Sequence, residues 1–170
     1  NQMFFLANLD SSDEVSTLLV GTKGCETAYE FVNLGSLIGK KIGQDCDIQL
    51  ISKSDNLDIF SIEFGIAISS YNFDNFKSNK NPERNFKILD SSHNEEIQNK
   101  IDSIFWVRDM VNYPAITKSP EFFEEKVKEL IKNRNIKLES YDEEWLRENN
   151  MGGVVGVAQG SERPPKFLIG

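Results

Sequence analysis

Histidine is the side chain best suited to acid–base chemistry near neutral pH, and this 170-residue chain has one, His93. A histidine-based metal cluster or a histidine-dependent catalytic triad therefore cannot be built within the chain. Ser92 and Glu95 flank His93 with the spacing of a capping box, in which a hydroxyl and a carboxylate each bind an unpaired backbone N–H. We therefore predict that His93 lies on the surface at the start of a helix.

Carboxylate pairs are the second candidate for acid–base or metal chemistry. The clearest pairs are Glu124/Glu125 and Glu143/Glu144. Both pairs fall in early turns of predicted helices, where negative charge complements the helix dipole. No calcium-type Asp-x-Asp-x-Asp-Gly loop accompanies them. The sequence therefore predicts a structural role for these four residues.

Two glycine-rich segments invite comparison with phosphate-binding loops. Gly152, Gly153, Gly156 and Gly160 lack the spacing of a dinucleotide-binding or Walker loop, so the sequence predicts a turn with close packing. Residues 21–24 lie between a predicted strand and a predicted helix, a position where anions do bind. Their match to a nucleotide-binding loop is weak, and a structural turn is the preferred interpretation.

Arg108 and Asp109 are charged neighbours close to a predicted domain boundary. We predict a structural role at an interdomain contact, because the planar guanidinium can bind carbonyl or carboxylate oxygens. Asn112 and Pro114 are assigned to the same interdomain segment.

The composition is that of an acidic globular protein. The formal charge is −8, from 19 basic and 27 acidic residues, which disfavours non-specific binding to nucleic acid. No apolar run approaches the roughly 20 residues that a membrane-spanning helix needs. Cys25 and Cys46 lack metal-ligand spacing, so we predict free thiols in a reducing compartment.

Hydrophobic periodicity predicts strands and helices in alternation. Strands are predicted at 3–9, 16–20, 46–51, 86–89, 136–139 and 167–169. Helices are predicted at 26–42, 57–71 and 92–113, after the cap Ser119 with Pro120, and after the cap Asp142. This alternation indicates an α/β fold with a mixed, partly parallel sheet flanked by helices.

Five segments follow one another in an order that is more specific than any of them alone. They are Tyr-Asn-Phe-Asp-Asn-Phe-Lys at 71–77, Arg-Asp-Met-Val-Asn-Tyr-Pro-Ala at 108–115, Ser-Pro at 119–120, Met-Gly-Gly at 151–153 and Gly-Ser-Glu-Arg-Pro-Pro at 160–165. Together they resemble the leucyl aminopeptidases, the M17 cytosol aminopeptidase family, where its N-terminal domain meets its catalytic domain. Asn150 departs from the family's usual Gly, and Ile116 from its usual Asn.

The resemblance implies a domain organisation. Residues 1–91 are expected to form a macro-domain-like N-terminal α/β domain that lacks some N-terminal residues. Residues 92–113 are expected to form an interdomain linker helix, and residues 114–170 the opening segment of the catalytic domain.

The resemblance also implies an activity for a longer protein. Family members are cytoplasmic homohexamers that remove N-terminal residues, preferably leucine, from peptides. They use two divalent metal ions, zinc or manganese, bound by a lysine, aspartates and a glutamate. These ligands lie in motifs beyond the position that matches Gly170. We therefore expect no catalytic or metal-binding residue in this chain, and no activity from it alone.

One alternative comes from a different functional class. The chain would then be a stand-alone, non-catalytic macro-like module that binds a nucleotide-type ligand or a protein partner. Neither interpretation involves nucleic acid or a membrane as a partner.

Overall fold

The computed structural model describes residues 3–6, 17–42, 46–52, 57–81, 84, 86–89 and 91–170. The chain divides into two compact units, Asn1–Val107 and Arg108–Gly170. The boundary between the two units falls inside the helix Asn94–Asn112, which lies within the predicted linker 92–113. The first unit contains β1 (Met3–Leu6), β2 (Thr17–Val20), α1 (Ala28–Ile42), β3 (Cys46–Ile48), α2 (Ile59–Ile68), β4 (Phe86–Ile88) and most of α3 (Asn94–Asn112). The second contains the end of α3, then α4 (Pro120–Ile131), β5 (Glu139–Tyr141), α5 (Glu143–Glu148), α6 (Gly152–Ala158) and β6 (Phe167–Ile169).

The strands of the described residues form three two-stranded sheets. β1 and β2 are antiparallel, with Met3 opposite Val20. β3 and β4 are parallel, as expected for strands joined through a helix, and Ile48 lies opposite Ile88. In the second unit β5 and β6 are antiparallel. The mixed α/β class predicted from the sequence is confirmed.

The core of the first unit lies between its helices and strands. Its buried members come from α1, α2, β3 and β4, and they are Phe31, Leu34, Ile38, Ile48, Ile62, Ile66 and Ile88. Leu34 and Ile66 are almost completely buried, at 1% and 0% exposure. Cys25 and Cys46 pack against this cluster as partly buried thiols, and neither belongs to a disulfide.

Helices α1 and α2 approach each other closely at three glycines. A Cβ atom built on Gly35 would overlap the carbonyl oxygen of Ile62, and one on Gly65 would overlap that of Val32. A Cβ atom on Gly39 would overlap the hydroxyl of Ser69. The two backbones therefore meet with no room for a side chain at these positions.

Local signals start the helices where the sequence predicts them. Asp58 caps α2 by accepting a hydrogen bond from the backbone N–H of Ser61 at 3.0 Å. Ser119 caps α4 and is followed by Pro120 at the first helical position. Asp142 caps α5 by accepting from the N–H of Trp145. These caps bind backbone donors that would otherwise have no partner.

Two expectations from the sequence are wrong. The fifth strand is Glu139–Tyr141 rather than 136–139. The glycine-rich segment forms helix α6 rather than a turn, and its glycines have open space beside them rather than close packing. In the turn before α3 the Ser91 hydroxyl accepts from the N–H of His93 at 3.1 Å, and the capping box of Ser92 and Glu95 stays a prediction. The predicted strand residues 7–9 and 16 lie outside the described residues.

No helix among the described residues is both long enough and apolar enough to cross a membrane.

The close approach of α1 and α2 generates the first prediction. Gly35→Ala in the 170-residue chain should lower the free energy of unfolding by about 1–3 kcal/mol or more, because the added methyl overlaps backbone that cannot rotate away. Gly156→Ala is the matched control, since nothing lies within 4 Å of its Cβ position. The control should be neutral, or stabilising by up to about 1 kcal/mol. Urea denaturation measures both, and equal effects of the two changes would contradict the close helix contact.

Candidate functional site

The four residues assigned to the interdomain segment lie at and just beyond the end of α3. Arg108 and Asp109 are half-buried in its last turns, Asn112 is its last residue, and Pro114 is exposed in the turn that follows. The carbonyl oxygen of Asp109 accepts from the N–H of Tyr113 at 3.0 Å. The helix therefore continues its bonding pattern up to the turn, and the motif forms a helix end.

The turn between α3 and α4 is built by hydrogen bonds from its own residues. The carbonyl oxygen of Pro114 accepts from the N–H groups of Thr117 and Lys118, at 3.0 and 2.9 Å. The Lys118 ammonium group donates to the carbonyl oxygen of Met110 at 2.8 Å and so satisfies an otherwise open carbonyl in the last turn of α3. Tyr113 packs edge-on against Phe122 with ring centroids 4.8 Å apart. The turn thus fixes how α4 follows α3.

Two of the motifs that were separate in sequence meet at this turn. The guanidinium group of Arg163, in the 160–165 segment, donates to the carbonyl oxygen of Ile116 at 3.2 Å. Ile116 follows the 108–115 motif directly. The geometry is that of a structural tie, because the carbonyl group is a backbone acceptor and no reacting group stands beside it.

Glu124 is the most enclosed charged group of the second unit. It accepts a hydrogen bond from the Lys128 ammonium group at 2.6 Å and lies 3.5 Å from that of Lys166. Hydrogen bonding from Lys128, with a further hydrogen bond from Ser140 and the charge of Lys166, lowers the pKa of this carboxyl although burial opposes the shift. The first turn of α4 contains one acidic residue, Glu121, and Glu124 lies beyond that turn. Interaction with the helix dipole is therefore not the main role of Glu124. It links α4 to the strands β5 and β6.

An aromatic stack fixes α5 against the same two strands. Trp145 stacks on Tyr141 with centroids 3.9 Å apart and on Phe167 at 6.3 Å. The Tyr141 hydroxyl donates to Glu139 at 2.6 Å, which raises the pKa of Tyr141. Glu143 and Glu144 lie in the first turn of α5, as the sequence predicts.

Helix α5 ends in a Schellman motif centred on Asn150. Asn150 has φ of 57°, the one non-glycine residue with positive φ among the described residues. The N–H of Met151 donates to the carbonyl oxygen of Leu146 at 2.9 Å, and that of Asn150 donates to Arg147 at 3.2 Å. The left-handed conformation is one that glycine adopts without a side-chain penalty.

The lone histidine belongs to a polar cluster in the first unit. Glu63, only 3% exposed, accepts from the Ser91 hydroxyl at 2.9 Å and lies 3.1 Å from Nδ1 of His93. The Ser91 hydroxyl thus binds the carboxylate and not the imidazole, so the three residues do not form the serine–histidine pair of a catalytic triad. His93 is half-exposed, as predicted, but no sequence pattern pointed to Glu63, because the two residues lie 30 positions apart.

The loop before α1 does not offer an anion site. The Glu30 carboxylate accepts from the N–H groups of Glu26 and Thr27, both at 2.9 Å. The N–H of Glu30 donates in return to the Thr27 hydroxyl at 3.3 Å, which completes a capping box. The N–H groups of Glu26, Thr27 and Glu30 are thus bound within the chain, and none of these contacts supports the nucleotide-binding alternative at segment 21–24.

The 71–77 motif is a loop organised around Asp74. The Asp74 carboxylate pairs with the Lys77 ammonium group and accepts from the backbone N–H of Asn81 at 2.6 Å and from the Asn72 amide. The hydrogen bond from Lys77, followed by that from Asn81, lowers the pKa of Asp74 to about 2. The two charged residues of this motif, Asp74 and Lys77, thus pair with each other inside the loop.

Within the described part of the chain, no three histidine, cysteine, aspartate or glutamate side chains converge as metal ligands would. None of these residues can therefore be assigned to a metal centre. The arrangement of the described residues is a set of structural ties and caps.

The C-terminal part of the chain matches a family model. Residues 105–169 match the catalytic domain of the cytosol aminopeptidase family. The probable cytosol aminopeptidase 1 of Shewanella oneidensis is 28% identical in an alignment 170 positions long, which covers 92% of this chain and 34% of that protein. The probable cytosol aminopeptidase of Pseudomonas aeruginosa is 31% identical in an alignment 166 positions long, which covers 91% of this chain and 31% of that protein. The chain thus spans about a third of the length of these relatives.

Solved structures share the fold. The bottromycin maturation enzyme BotP superposes with a TM-score of 0.81 at 20% identity, over 98% of this chain and 39% of that one. A mutant of tomato leucine aminopeptidase superposes with a TM-score of 0.76 at 20% identity, over 98% of this chain and 37% of that one. At this identity the likeness establishes the fold alone.

The strained position at the end of α5 generates the second prediction. Asn150→Gly should raise the free energy of unfolding by about 0.5–1 kcal/mol, because glycine adopts positive φ without a side-chain penalty. Asn149→Gly is the neighbouring control: Asn149 has φ of −94° and its amide donates to the carbonyl oxygen of Trp145. That change should lower stability. Urea unfolding decides the point, and a loss of stability in both variants would refute the strain at Asn150.

The Asp74 loop generates the third prediction. Because the folded-state pKa of Asp74 lies below its ordinary value of 3.8, ionised Asp74 stabilises the fold above about pH 4. This contribution is lost as the pH falls towards 2. Asp74→Asn should therefore reduce stability at pH 6 and reduce it much less at pH 3, measured by urea midpoints.

The control for the Asp74 change is Asp47→Asn, at an exposed carboxylate on β3. At pH 6 the loss of stability caused by Asp74→Asn should exceed that caused by Asp47→Asn. A pH-independent difference for Asp74→Asn would show that the carboxylate charge does not hold the loop.

Proposed function

We propose that this chain is part of a metal-dependent aminopeptidase of the M17 cytosol aminopeptidase family, to whose catalytic-domain model residues 105–169 match. The resemblance predicted from the sequence motifs is confirmed by that match and by the curated relatives. The longer enzyme would hydrolyse the N-terminal residue, preferably leucine, from peptides in the cytoplasm, and would assemble as a homohexamer.

The observation that carries the proposal is the joining of family motifs in the structure. The segment 160–165 is distant in sequence from the helix end at 108–115 and from the cap at Ser119. In the second unit Arg163 reaches the turn at Ile116, and Lys166 reaches Glu124 on α4. These contacts bring the later motif segment against the earlier one, and a chance resemblance of separate segments would not explain them.

Two divalent metal ions, zinc or manganese, would supply the activated water and polarise the scissile carbonyl group. One solved neighbour is described as a complex with Mn. The described residues of this chain do not fit a metal centre, since no ligand cluster exists among them. We therefore assign no catalytic step and no metal ligand to this chain.

The role proposed for this chain is to form the N-terminal domain and to begin the catalytic domain. Residues 1–91 would be the N-terminal domain, 92–113 the linker helix, and 114–170 the opening catalytic segment. Arg108, Asp109, Asn112 and Pro114 would then act structurally, as the end of the linker and the first turn of the catalytic domain.

The fourth prediction concerns activity. The 170-residue chain should not release p-nitroaniline from leucine p-nitroanilide, with or without added Mn²⁺ or Zn²⁺. The encoding message should be sequenced past the codon for Gly170, and the product of any longer reading frame should hydrolyse this substrate and lose activity with a chelator. Hydrolysis by the 170-residue chain would refute the proposed division of roles, and a chelator-insensitive longer product would refute the metal-dependent mechanism.

A further inference from the structure

Glu63 is a buried carboxylate on a helix that is otherwise mostly apolar. It lies in α2 and is 3% exposed. A carboxylate that is removed from water is unfavourable unless it is hydrogen-bonded and paired with a cation. Glu63 accepts a hydrogen bond from the hydroxyl of Ser91 at 2.9 Å and lies 3.1 Å from Nδ1 of His93. Of these two neighbours, His93 is the one that can place a positive charge beside the buried carboxylate.

His93 can gain and lose a proton without leaving this contact. Its side chain is 39% exposed, so water reaches the ring. A neutral ring with its proton on Nδ1 donates to Glu63, and the imidazolium donates in the same way with a full positive charge. Protonation therefore converts a hydrogen bond into an ion pair at the same place. Histidine is the side chain that ordinarily changes charge between about pH 5 and 8, and the chain has one.

Charged and aromatic groups reach His93 from both helices. The ring of Phe60, on α2, lies edge-on to the imidazole with centroids 5.3 Å apart. On α3, Lys100 donates to Glu96 at 2.7 Å and lies 4.7 Å from the centre of the Phe60 ring. The hydrogen bond and the charge of Lys100 lower the pKa of Glu96, and the charge of His93 adds to them. Because Glu96 already has Lys100 as its partner, the carboxylate that needs the charge of His93 is Glu63.

The contact between Glu63 and His93 lies where α3 begins. The side-chain amide of Asn94, the first residue of α3, donates to the carbonyl oxygen of Ile88 on β4 at 3.3 Å. The N–H of Ile97 donates to the carbonyl oxygen of His93 at 2.9 Å, a hydrogen bond of the first helical turn. A change in how His93 is held therefore acts on the first turn of α3.

We propose that Glu63 and His93 form a pH-sensitive latch, in which the imidazolium of His93 holds the first turn of α3 on α2 and loss of its proton weakens that hold. The imidazolium has this carboxylate beside it only in the folded chain. Its contribution to stability is therefore full below about pH 5.5, where histidine is ordinarily protonated, and is lost as the pH rises and the folded-state ring gives up its proton. The latch lies within the first unit and does not depend on the proposed function.

The single histidine allows a direct test by NMR. The chemical shift of the Hε1 proton of His93 follows the protonation of its ring, and no second histidine obscures it in the 170-residue chain. Glu63→Gln removes the charge but keeps an acceptor for Ser91, and should move the midpoint of this titration to lower pH by about 0.5 unit or more. Glu26→Gln, the loss of an exposed carboxylate in the same unit, should leave the midpoint unchanged. Equal midpoints in Glu63→Gln and the unaltered chain would overturn the proposal.

Urea unfolding tests the latch independently, and it decides the point if Glu63→Gln does not fold. The unaltered chain is compared at pH 5.5 and pH 7.5 with His93→Gln, whose amide can still donate to Glu63 but cannot gain a charge. Between these pH values the ratio of folded to unfolded protein should fall about two- to fivefold more for the unaltered chain than for the variant. A variant that is less stable by the same factor at both pH values would show a tie with no response to pH, and the latch would be refuted.

Discussion

The contact between α1 and α2 is the interaction on which the first unit depends. Gly35 and Gly65 allow the two backbones to meet, and the Ser36 hydroxyl donates to the carbonyl oxygen of Gly65 at 3.1 Å across the contact. This approach lets Leu34 and Ile66 be almost completely buried, and each such side chain contributes about 1.5–3 kcal/mol. Because α2 is apolar on nearly every side, it is stable only when other elements cover it, and α1 supplies the closest cover.

The second unit is held together by different means. Its ties are polar and are made at the ends of elements: Lys118 on the end of α3, Arg163 on the following turn, and Glu124 between α4 and the strands. Each tie is a hydrogen bond or ion pair with a charged donor, which contributes about 1–3 kcal/mol. The geometry of the second unit is therefore fixed mainly at the ends of its elements.

The elements that the sequence predicted correctly are those whose signals are local. Ser119 with Pro120, and Asp142, act on backbone groups two or three residues away, so their helices begin where expected. The strand at β5 was misplaced because Ile136 and Leu138 alternate as a strand would, while the pairing with Phe167–Ile169 selects Glu139–Tyr141. Helix α6 was missed because glycine lowers helix propensity, and three of its seven residues are glycine. The contacts of Glu63 with Ser91 and His93 join residues distant in sequence, so no local pattern records them. The interdomain role of Arg108 and Asp109 stays a prediction.

The polar groups of the motifs that resemble the M17 family are used within the chain itself. Asp74 and Lys77 bind each other and close a loop, so neither charge is available to a substrate. Asn150 occupies a backbone conformation that favours glycine, and its N–H and that of Met151 still make the hydrogen bonds of the helix end. A polar group that is bound inside its own loop or helix end sets the local backbone geometry, so these motifs determine where the elements that follow them begin.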